Sequence, residues 1–346
     1  MTAPTSFDAC QPRDDGREGR VSDADLAADL AAVIRGTAVP DYSDPARFFG
    51  NTYPTRGLKN LLEAVCRRLS GAGGEAAAVL RLDTSFGGGK THGLIALVHA
   101  AGGMKGVARP EEFIDPAYLP KSPVRIAAFD GENADPANGR SMGDGVRAHT
   151  PWGEIAYALA GKDGFERVRA SDEQAVAPGA DTLKELFGNQ PTLILLDEPA
   201  IYLRKVRGLP HGGRDQLAAF LTSLIKAVES SPNVSLVFSL AVGKDGRASD
   251  AYAEENDFLA SRMGEIESVA ARKATLLNPT EDDETALVLR RRLFAQIDPQ
   301  KAAEAIAAYR ALWKQHAAAL PPNAADGDIA EQFERSYPLH PALLDT

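Results

Sequence analysis

Short apolar runs recur along the middle of the chain, and their uninterrupted character predicts the fold class. Several consecutive apolar residues, rather than an alternating pattern, indicate a strand buried on both faces, as in a parallel sheet. The predicted strands are Val79–Leu82, Val124–Phe129, the apolar part of Pro191–Glu198, Val234–Val242 and, with a following turn, Ala274–Pro279. The pattern therefore predicts an α/β fold in which one parallel sheet is flanked by helices.

Apolar residues at helical spacing predict helices before, between and after these strands. The first runs from its predicted cap Ser22 to Gly36, the second from Leu58 to Leu69, and the third ends at Gly102. Three more helices are predicted at Glu284–Phe294, Gln300–Leu320 and Ile329–Ser336. We therefore expect an N-terminal polar segment with a helix (1–45), an α/β domain (46–278) and a small C-terminal helical lid (279–346).

The most informative segment is AAAVLRLDTSFGGGKTH, residues 76–92, in which a strand leads into a glycine-rich turn and then a helix. Successive glycines let several backbone N–H groups point at one anion, and the positive end of the helix dipole adds to the attraction. Lys90 is expected to reach the β and γ phosphates of a nucleotide, and Thr91 to offer its hydroxyl to Mg²⁺. The candidate nucleotide-binding residues of this Walker A-like loop are Gly87, Gly88, Gly89, Lys90, Thr91 and His92.

One position departs from the G-x-x-x-x-G-K-[ST] pattern, because Thr84 stands where the first glycine is expected. The alternative is a glycine-rich turn whose lysine is only solvated. A second motif weighs against it: the apolar run PTLILLDE ends in Asp197 and Glu198, and ligands of open α/β sheets bind at the carboxyl ends of strands. Asp197 is expected to hold Mg²⁺ through water, and Glu198 to orient and deprotonate the water that attacks the γ phosphate. Together the two motifs predict a P-loop NTPase that binds ATP and Mg²⁺.

Other polar residues near the predicted strand ends are weaker candidates. Ser239 is a lone hydroxyl in an apolar strand; it would either sense the γ phosphate or cap a neighbouring carbonyl in the sheet. Arg262 and Arg272 lie between that strand and the lid, where an arginine finger projects into a neighbouring subunit; the alternative for each is a surface salt bridge. Glu132 and Asn133 are expected to form a turn rather than bind a ligand.

The net charge of −10 over 346 residues argues against a protein that coats nucleic acid through bulk charge. Two local basic clusters would either contact DNA or form solvated faces. The first comprises Arg204, Lys205, Arg207 and Arg214, and the second Arg290, Arg291 and Arg292. We expect no membrane partner and a cytoplasmic location, because the sequence shows neither a signal peptide nor an apolar stretch of about 20 residues.

Cysteines and aromatic residues add little to this picture. Cys66 shares a helical apolar stripe and is expected in the core, whereas Cys10 lies in a polar segment; no metal or disulfide framework is visible. Phe48, Phe49 and Tyr53 precede the first sheet strand, where they would either line the adenine side of a nucleotide or simply pack.

Five segments together resemble a family of large prokaryotic ATPases. They are RFFGNTYPTRGLKNLLEAV, RLDTSFGGGKTHGLIALVHAA, LILLDE, and NPTEDDE with SYPLHPALL. The family has an AAA+-like (ASCE) P-loop fold and has long been catalogued as a domain of unknown function. It is often encoded beside DNA methyltransferases in phage-defence islands and is similar to the large ATPases of BREX and phage-growth-limitation systems. Its members share a non-glycine first position in this loop, which accounts for Thr84.

The resemblance implies an ATP-hydrolysing motor or remodelling subunit of an antiviral or DNA-modification complex. DNA or a methyltransferase complex would be its partner, and the full-length form would be a homo-oligomer. Two alternatives stay open: an ATP-dependent switch or scaffold with little hydrolysis, and a small-molecule phosphotransferase. Because the segment from Tyr337 onward resembles the start of a helix, we expect this chain to be the front part of a longer protein.

Overall fold

The computed structural model describes residues 5–18, 28–72, 76–84, 89–208, 213–241, 253–259, 261, 275–277, 284–320 and 327–344. The chain divides into two compact units. The sheet unit comprises Ala28–Phe48 and Arg56–Pro279. The helical unit comprises Met1–Ala27, Phe49–Thr55 and Thr280–Thr346.

The described strands form one larger sheet and two small antiparallel pairs. They are β1 (Cys10–Pro12), β2 (Val79–Thr84), β3 (Arg125–Asp130), β4 (Arg140–Gly143), β5 (Val146–Ala148), β6 (Thr192–Asp197), β7 (Val234–Ala241), β8 (Thr275–Leu277) and β9 (Phe294–Ile297). The larger sheet has the order β3-β6-β7-β2-β8, with every neighbouring pair parallel. All residues of β6 are buried, as its continuous apolar run predicts. The predicted α/β fold with a parallel sheet flanked by helices is therefore confirmed.

The described helices are α1 (Ser6–Ala9), α2 (Asp14–Arg17), α3 (Leu30–Arg35), α4 (Pro40–Ser43), α5 (Pro45–Asn51), α6 (Arg56–Leu69), α7 (Lys90–Ala101), α8 (Pro151–Glu173), α9 (Ala180–Phe187), α10 (Pro199–Val206), α11 (Gly213–Glu229), α12 (Thr285–Leu293), α13 (Pro299–Gln315) and α14 (Gly327–Ser336). The bounds of α6, α12 and α14 agree closely with the predicted helices. The continuous helix predicted from Ser22 to Gly36 is wrong, because residues 28–29 are not helical and α3 begins at Leu30, and the helix predicted to reach Leu320 ends at Gln315. A further short helix spans 253–259. The predicted cap Ser22 lies outside the described residues, and Asp29 caps α3 by accepting a hydrogen bond from the Ala32 N–H.

One face of α6 is apolar and buried, because its apolar residues recur at helical spacing. The buried residues are Gly57, Leu58, Leu61, Leu62, Val65, Cys66 and Leu69. Cys66 is thus a core thiol, as predicted, and burial raises its pKa to about 12. Cys10 is buried as well, although its segment of the sequence is polar.

Two arginines each donate hydrogen bonds to several backbone carbonyl groups near the amino ends of the sheet strands. Arg68 of α6 donates to the carbonyl oxygens of Ala76, Val228, Ser231 and Val234. Arg125, the first residue of β3, donates to the carbonyl oxygens of Leu159, Leu186 and Phe187. Several of these carbonyls belong to the last turns of α9 and α11, where helices lack internal donors and favour a cation. Each guanidinium therefore ties helix ends to the sheet.

In the helical unit, the short strand β1 pairs antiparallel with β9, with Cys10 opposite Ile297. The unit's core is built around α13 and α14 and contains Ala9, Cys10, Ala302, Ala305, Ile306, Phe333 and Tyr337. The start of a further helix predicted near Pro341 is a short 3-10 helix, Pro341–Leu343, capped by His340. Among the described helices, none combines the length and the apolar character needed to cross a membrane.

Candidate functional site

The helix α7 begins directly after the glycine-rich turn. Gly89 caps it in the left-handed region (φ 78°), a conformation that costs glycine little. Lys90, the first helical residue, is only 7% exposed. Gly87 and Gly88 lie outside the described residues.

The two motifs predicted from the sequence meet at Thr91 and Asp197. The Thr91 hydroxyl donates a hydrogen bond to Asp197 Oδ2 over 2.8 Å. Asp197 is the last residue of β6 and is 5% exposed. Thus the start of α7 and the carboxyl end of β6 present a hydroxyl and a carboxylate oxygen side by side.

Ser239 lies between the two acidic residues rather than beside a sheet carbonyl. Its hydroxyl donates to Asp197 Oδ1 over 2.7 Å and accepts the Glu198 N–H over 2.9 Å. The single donor of this hydroxyl and one of its two acceptor sites therefore hold the two acidic residues. The alternative of a cap on a sheet carbonyl is not what these bonds show, since the partners are a carboxylate and a backbone N–H. A role in sensing the γ phosphate stays a prediction.

Opposing effects act on the pKa of the Asp197 carboxyl, and burial has the largest effect. Burial raises the pKa of Asp197, and the nearby charge of Asp130 acts in the same direction. Hydrogen bonds from Ser239 and Thr91 and the charge of Lys90 oppose this rise without cancelling it. A carboxylate at this position is consequently costly until a further positive charge compensates it.

Glu198 follows Asp197 in the left-handed conformation (φ 50°, ψ 48°), which is uncommon for a residue with a side chain. It caps α10, whose first residue is Pro199. The Glu198 side chain is half-buried. Its backbone therefore turns sharply where the strand gives way to the helix.

Asp130 ends β3 and lies opposite Asp197 in the parallel register. Its carboxylate accepts hydrogen bonds from the backbone N–H groups of Glu132 and Asn133 and from the Asn133 side-chain amide. This is the pattern of a turn closed by an Asp side chain. Glu132 and Asn133 are thus turn-forming residues, as predicted.

Buried acidic groups on α8 were not anticipated from the sequence. Glu154, in the first turn of α8, is 4% exposed and pairs with Arg140 of β4 at 3.1 Å. Burial, together with the charges of Asp130 and Asp172, raises the pKa of Glu154 to about 7 against the opposing effect of Arg140. The signal in the sequence was Thr150-Pro151 followed by Glu154, a cap and first turn that identify a helix start.

The aromatic residues near α7 pack on one another. Phe48 is 1% exposed and stacks on His92, with ring centroids 4.4 Å apart. Tyr42 meets the His92 ring edge-on, and the Tyr42 carbonyl lies 2.8 Å from His99 Nε2. Burial lowers the pKa of His99, so its ring is expected to be neutral and to donate to that carbonyl. The packing alternative is therefore favoured for Phe48.

The first predicted basic cluster is engaged within the sheet unit. Arg204 binds Glu255 through two hydrogen bonds, and Arg207 pairs with Glu254 at 2.9 Å. Arg214 also pairs with Glu254 and lies over the Phe258 ring at 3.8 Å. Lys205 donates to the carbonyls of Glu132 and Ala134. These cations hold the 253–259 helix and the loop after β3, which favours a structural role over contact with DNA.

In the second basic cluster, Arg290 donates to the Arg335 carbonyl at 2.8 Å.

Arg262 and Arg272, the predicted arginine fingers, lie outside the described residues. Within the part of the chain that is described, no group of three or more His, Cys, Asp and Glu side chains is placed to hold a metal ion. Among the described residues, a cation at Asp197 would therefore find no cluster of such side chains to complete its coordination.

The fold and this site define a class: a parallel α/β domain with a buried lysine at a helix start and two consecutive acidic residues at the end of a central strand. The family profile of the DUF499 N-terminal domain matches residues 6–274. The chain thus belongs to the DUF499 family, the domain-of-unknown-function family expected from its motifs. No curated protein matches it.

Proposed function

We propose that this protein is a P-loop ATPase that binds Mg-ATP and hydrolyses it. The observation that carries the proposal is the hydrogen bond between Thr91 and Asp197, because it joins the glycine-loop helix to the acidic strand end. The strand order supports it, since the Ser239 strand β7 lies between β2 and β6. An added strand between the two motif strands is the arrangement expected of this class of P-loop ATPases.

The donor set near Asp197 fits Mg²⁺. Hydroxyl and carboxylate oxygens are ligands that this ion prefers, and it usually keeps several waters and substrate phosphates as its other ligands. Thr91 and Asp197 would hold the ion, directly or through water, and the pKa of Asp197 is raised in a way that a cation would offset. When bound, Mg²⁺ would supply neutralisation of the charge that develops on the phosphate oxygens.

The remaining residues have roles that follow from their positions. Lys90 lies at the positive end of the α7 dipole, where it would bind the β and γ phosphates. Glu198 would orient the attacking water and accept its proton. Ser239 holds both acidic residues and would keep them in place as the phosphates bind.

The test is phosphate release from Mg-ATP by the wild type, Lys90→Ala and Glu198→Gln. Lys184→Ala, on the exposed face of α9, serves as the matched control. We expect turnover that both site variants lose and the control keeps. Equal turnover by Glu198→Gln and the wild type would contradict the proposal. Tight ATP binding that depends on Lys90, without phosphate release at any protein concentration, would instead select a nucleotide-dependent switch or scaffold.

The biological setting is proposed from the family resemblance. We propose a cytoplasmic motor or remodelling subunit of a DNA-modification or phage-defence complex, homo-oligomeric in its full-length form. An arginine supplied by a neighbouring subunit changes turnover by a factor of about a thousand or more. Turnover per subunit should therefore rise with protein concentration if Arg262 or Arg272 acts in a neighbouring site, and rise with duplex DNA if DNA is the partner.

A further inference from the structure

The loop after β3 lies unusually close to the backbone of Glu198. The Gly131 N–H donates to the Asp197 carbonyl at 2.9 Å. A Cβ built on Gly131 would lie 2.1 Å from the Glu198 carbonyl oxygen and 2.8 Å from its carbonyl carbon. Both distances are shorter than any ordinary Cβ contact, and the obstacle is backbone rather than a flexible side chain. Glycine is therefore required here by close approach.

The other end of this loop is tied to the helix that begins after Glu198. Lys205, near the end of α10, donates to the Glu132 carbonyl and, at 2.9 Å, to the Ala134 carbonyl. Two carbonyls that follow β3 thus share one ammonium group. Residues 131–134 are held to the segment 197–205 at both of its ends.

Glu198 needs such support because its backbone is strained. A left-handed conformation is unfavourable for a residue with a side chain, and it persists only where the surroundings enforce it. From the β7 side, Ser239 accepts the Glu198 N–H. From the β3 side, the Gly131 N–H donates to the Asp197 carbonyl, and the Glu198 carbonyl leaves no space for a Cβ at residue 131. The Glu198 carbonyl also accepts the Ile201 N–H. The peptide groups on both sides of the Glu198 side chain are consequently held.

We infer that Gly131 and Lys205 are positioning residues for Glu198. They hold its backbone in the left-handed conformation and so fix the direction in which its carboxylate leaves the strand end. The inference rests on the proposed ATPase, in which Glu198 orients the attacking water. It also assigns Lys205 a structural role that is independent of any contact with DNA.

The test compares Lys205→Met, Lys205→Arg and Gly131→Ala with the wild type in ATP turnover and in ATP binding. Lys184→Met, a lysine on the exposed face of α9, is the control. We expect Lys205→Met to lower kcat about tenfold or more while the Kd for a fluorescent ATP analogue changes by less than about twofold, because misplacing a catalytic group impairs the chemical step. Lys205→Arg should restore most of kcat, since its guanidinium also donates to two carbonyls.

Gly131→Ala should lower kcat at least as much, provided that it folds. A folded Lys205→Met protein with wild-type kcat would overturn the inference, as would equal losses of kcat and ATP affinity. Hydrogen exchange gives a readout without turnover: in Lys205→Met the amides of residues 131–134, 198 and 200 should exchange faster than in Lys184→Met. Unchanged exchange would overturn the inference. A wild type without ATPase activity would instead overturn the proposed function. The exchange result would then still show whether Lys205 holds the loop after β3 and the Glu198 backbone in place.

Discussion

The hydroxyl of Thr91 reaches Asp197 across 106 positions of the chain and donates a hydrogen bond to its carboxylate. Neither residue is informative alone, since threonines at helix starts and aspartates at strand ends are common. Their contact is informative because it places oxygen ligands from two separate motifs at one point.

Thr91→Val should lower ATP turnover by about tenfold or more, because it removes a ligand for Mg²⁺ and a donor to Asp197. Thr91→Ser keeps the hydroxyl and should retain most of the activity. The measurement is phosphate release over a series of Mg²⁺ concentrations, with thermal unfolding as the check on folding. Equal activity of the valine and serine variants would contradict a role for the hydroxyl.

Glu154 should make stability depend on pH. Its folded-state pKa of about 7 lies above the ordinary value of 4.5 because of burial and the charges of Asp130 and Asp172, against Arg140. Its contribution is therefore fully present below pH 4.5 and is lost as the pH rises through about 7. Burial, together with the charges of Glu154 and Asp172, raises the pKa of Tyr202, so Tyr202 stays neutral over this range.

Glu154→Gln removes this titration. Between about pH 4 and about pH 8, the free energy of unfolding of the wild type should fall relative to the variant by up to about 3 kcal/mol. Urea unfolding at several pH values measures the difference, and other titrating groups cancel because both proteins share them. Parallel stability curves would contradict the elevated pKa.

Glu255→Gln should destabilise the protein by about 1 kcal/mol, because Arg204 loses a charged partner that it binds through two hydrogen bonds. The matched control is Glu185→Gln, which breaks the exposed pair of Glu185 with Arg167 and should change stability by less than about 0.5 kcal/mol. Urea unfolding gives both values. Equal stability of the two variants would assign the Arg204 pair no structural role.

Arg204→Gln tests the alternative role in DNA binding. Since Arg204 is engaged by Glu255, we expect this variant to bind duplex DNA as the wild type does, measured by fluorescence anisotropy at fixed salt. A loss of affinity in a folded Arg204→Gln protein would instead support the nucleic-acid interface.

Arg68→Met should cost about 3 kcal/mol or more, because four backbone carbonyls lose a charged donor at once. Its neighbour Arg67 supplies the control on the same helix, since it pairs with Glu63 in a partly exposed (i, i+4) arrangement. Arg67→Met should cost about 1 kcal/mol or less. Chemical denaturation measures the free energy of unfolding of both variants. Similar losses of this free energy in the two variants would show that the carbonyl contacts of Arg68 contribute little to stability.

The strands of the sheet were predictable because apolar residues dominate each of them, although Arg81 interrupts β2 and Ser235 and Ser239 interrupt β7. Predicted and observed limits agree closely for β3, predicted as Val124–Phe129, and for β7, predicted as Val234–Val242. Burial on both faces forces such runs, so the signal is strong even in one sequence. The family was also predictable from one sequence, because the residues of its motifs are present in it.

The hairpin β4–β5 and the helix α8 were missed. Asp144-Gly145 between two short strands was a usable hairpin signal, but the strands carry weak alternation. The helix contains Gly161 and non-helical backbone at Ala160, so its apolar spacing is interrupted. Predicting the ion pair between Arg140 and Glu154 required both elements, and the requirement for glycine at 131 depends on a contact that no local pattern encodes.

The pairing of β1 with β9 has a consequence for the order of events during synthesis. Every strand of the five-stranded sheet is translated before residue 278, so its hydrogen-bonded ladders can close while the ribosome is still at work. The segment Cys10–Pro12 is made before all of these strands, yet its ladder cannot form until Phe294–Ile297 has been made. The ladder of β1 therefore forms after the strands of the larger sheet are available, and its closure carries the entropic cost of a contact so distant along the chain.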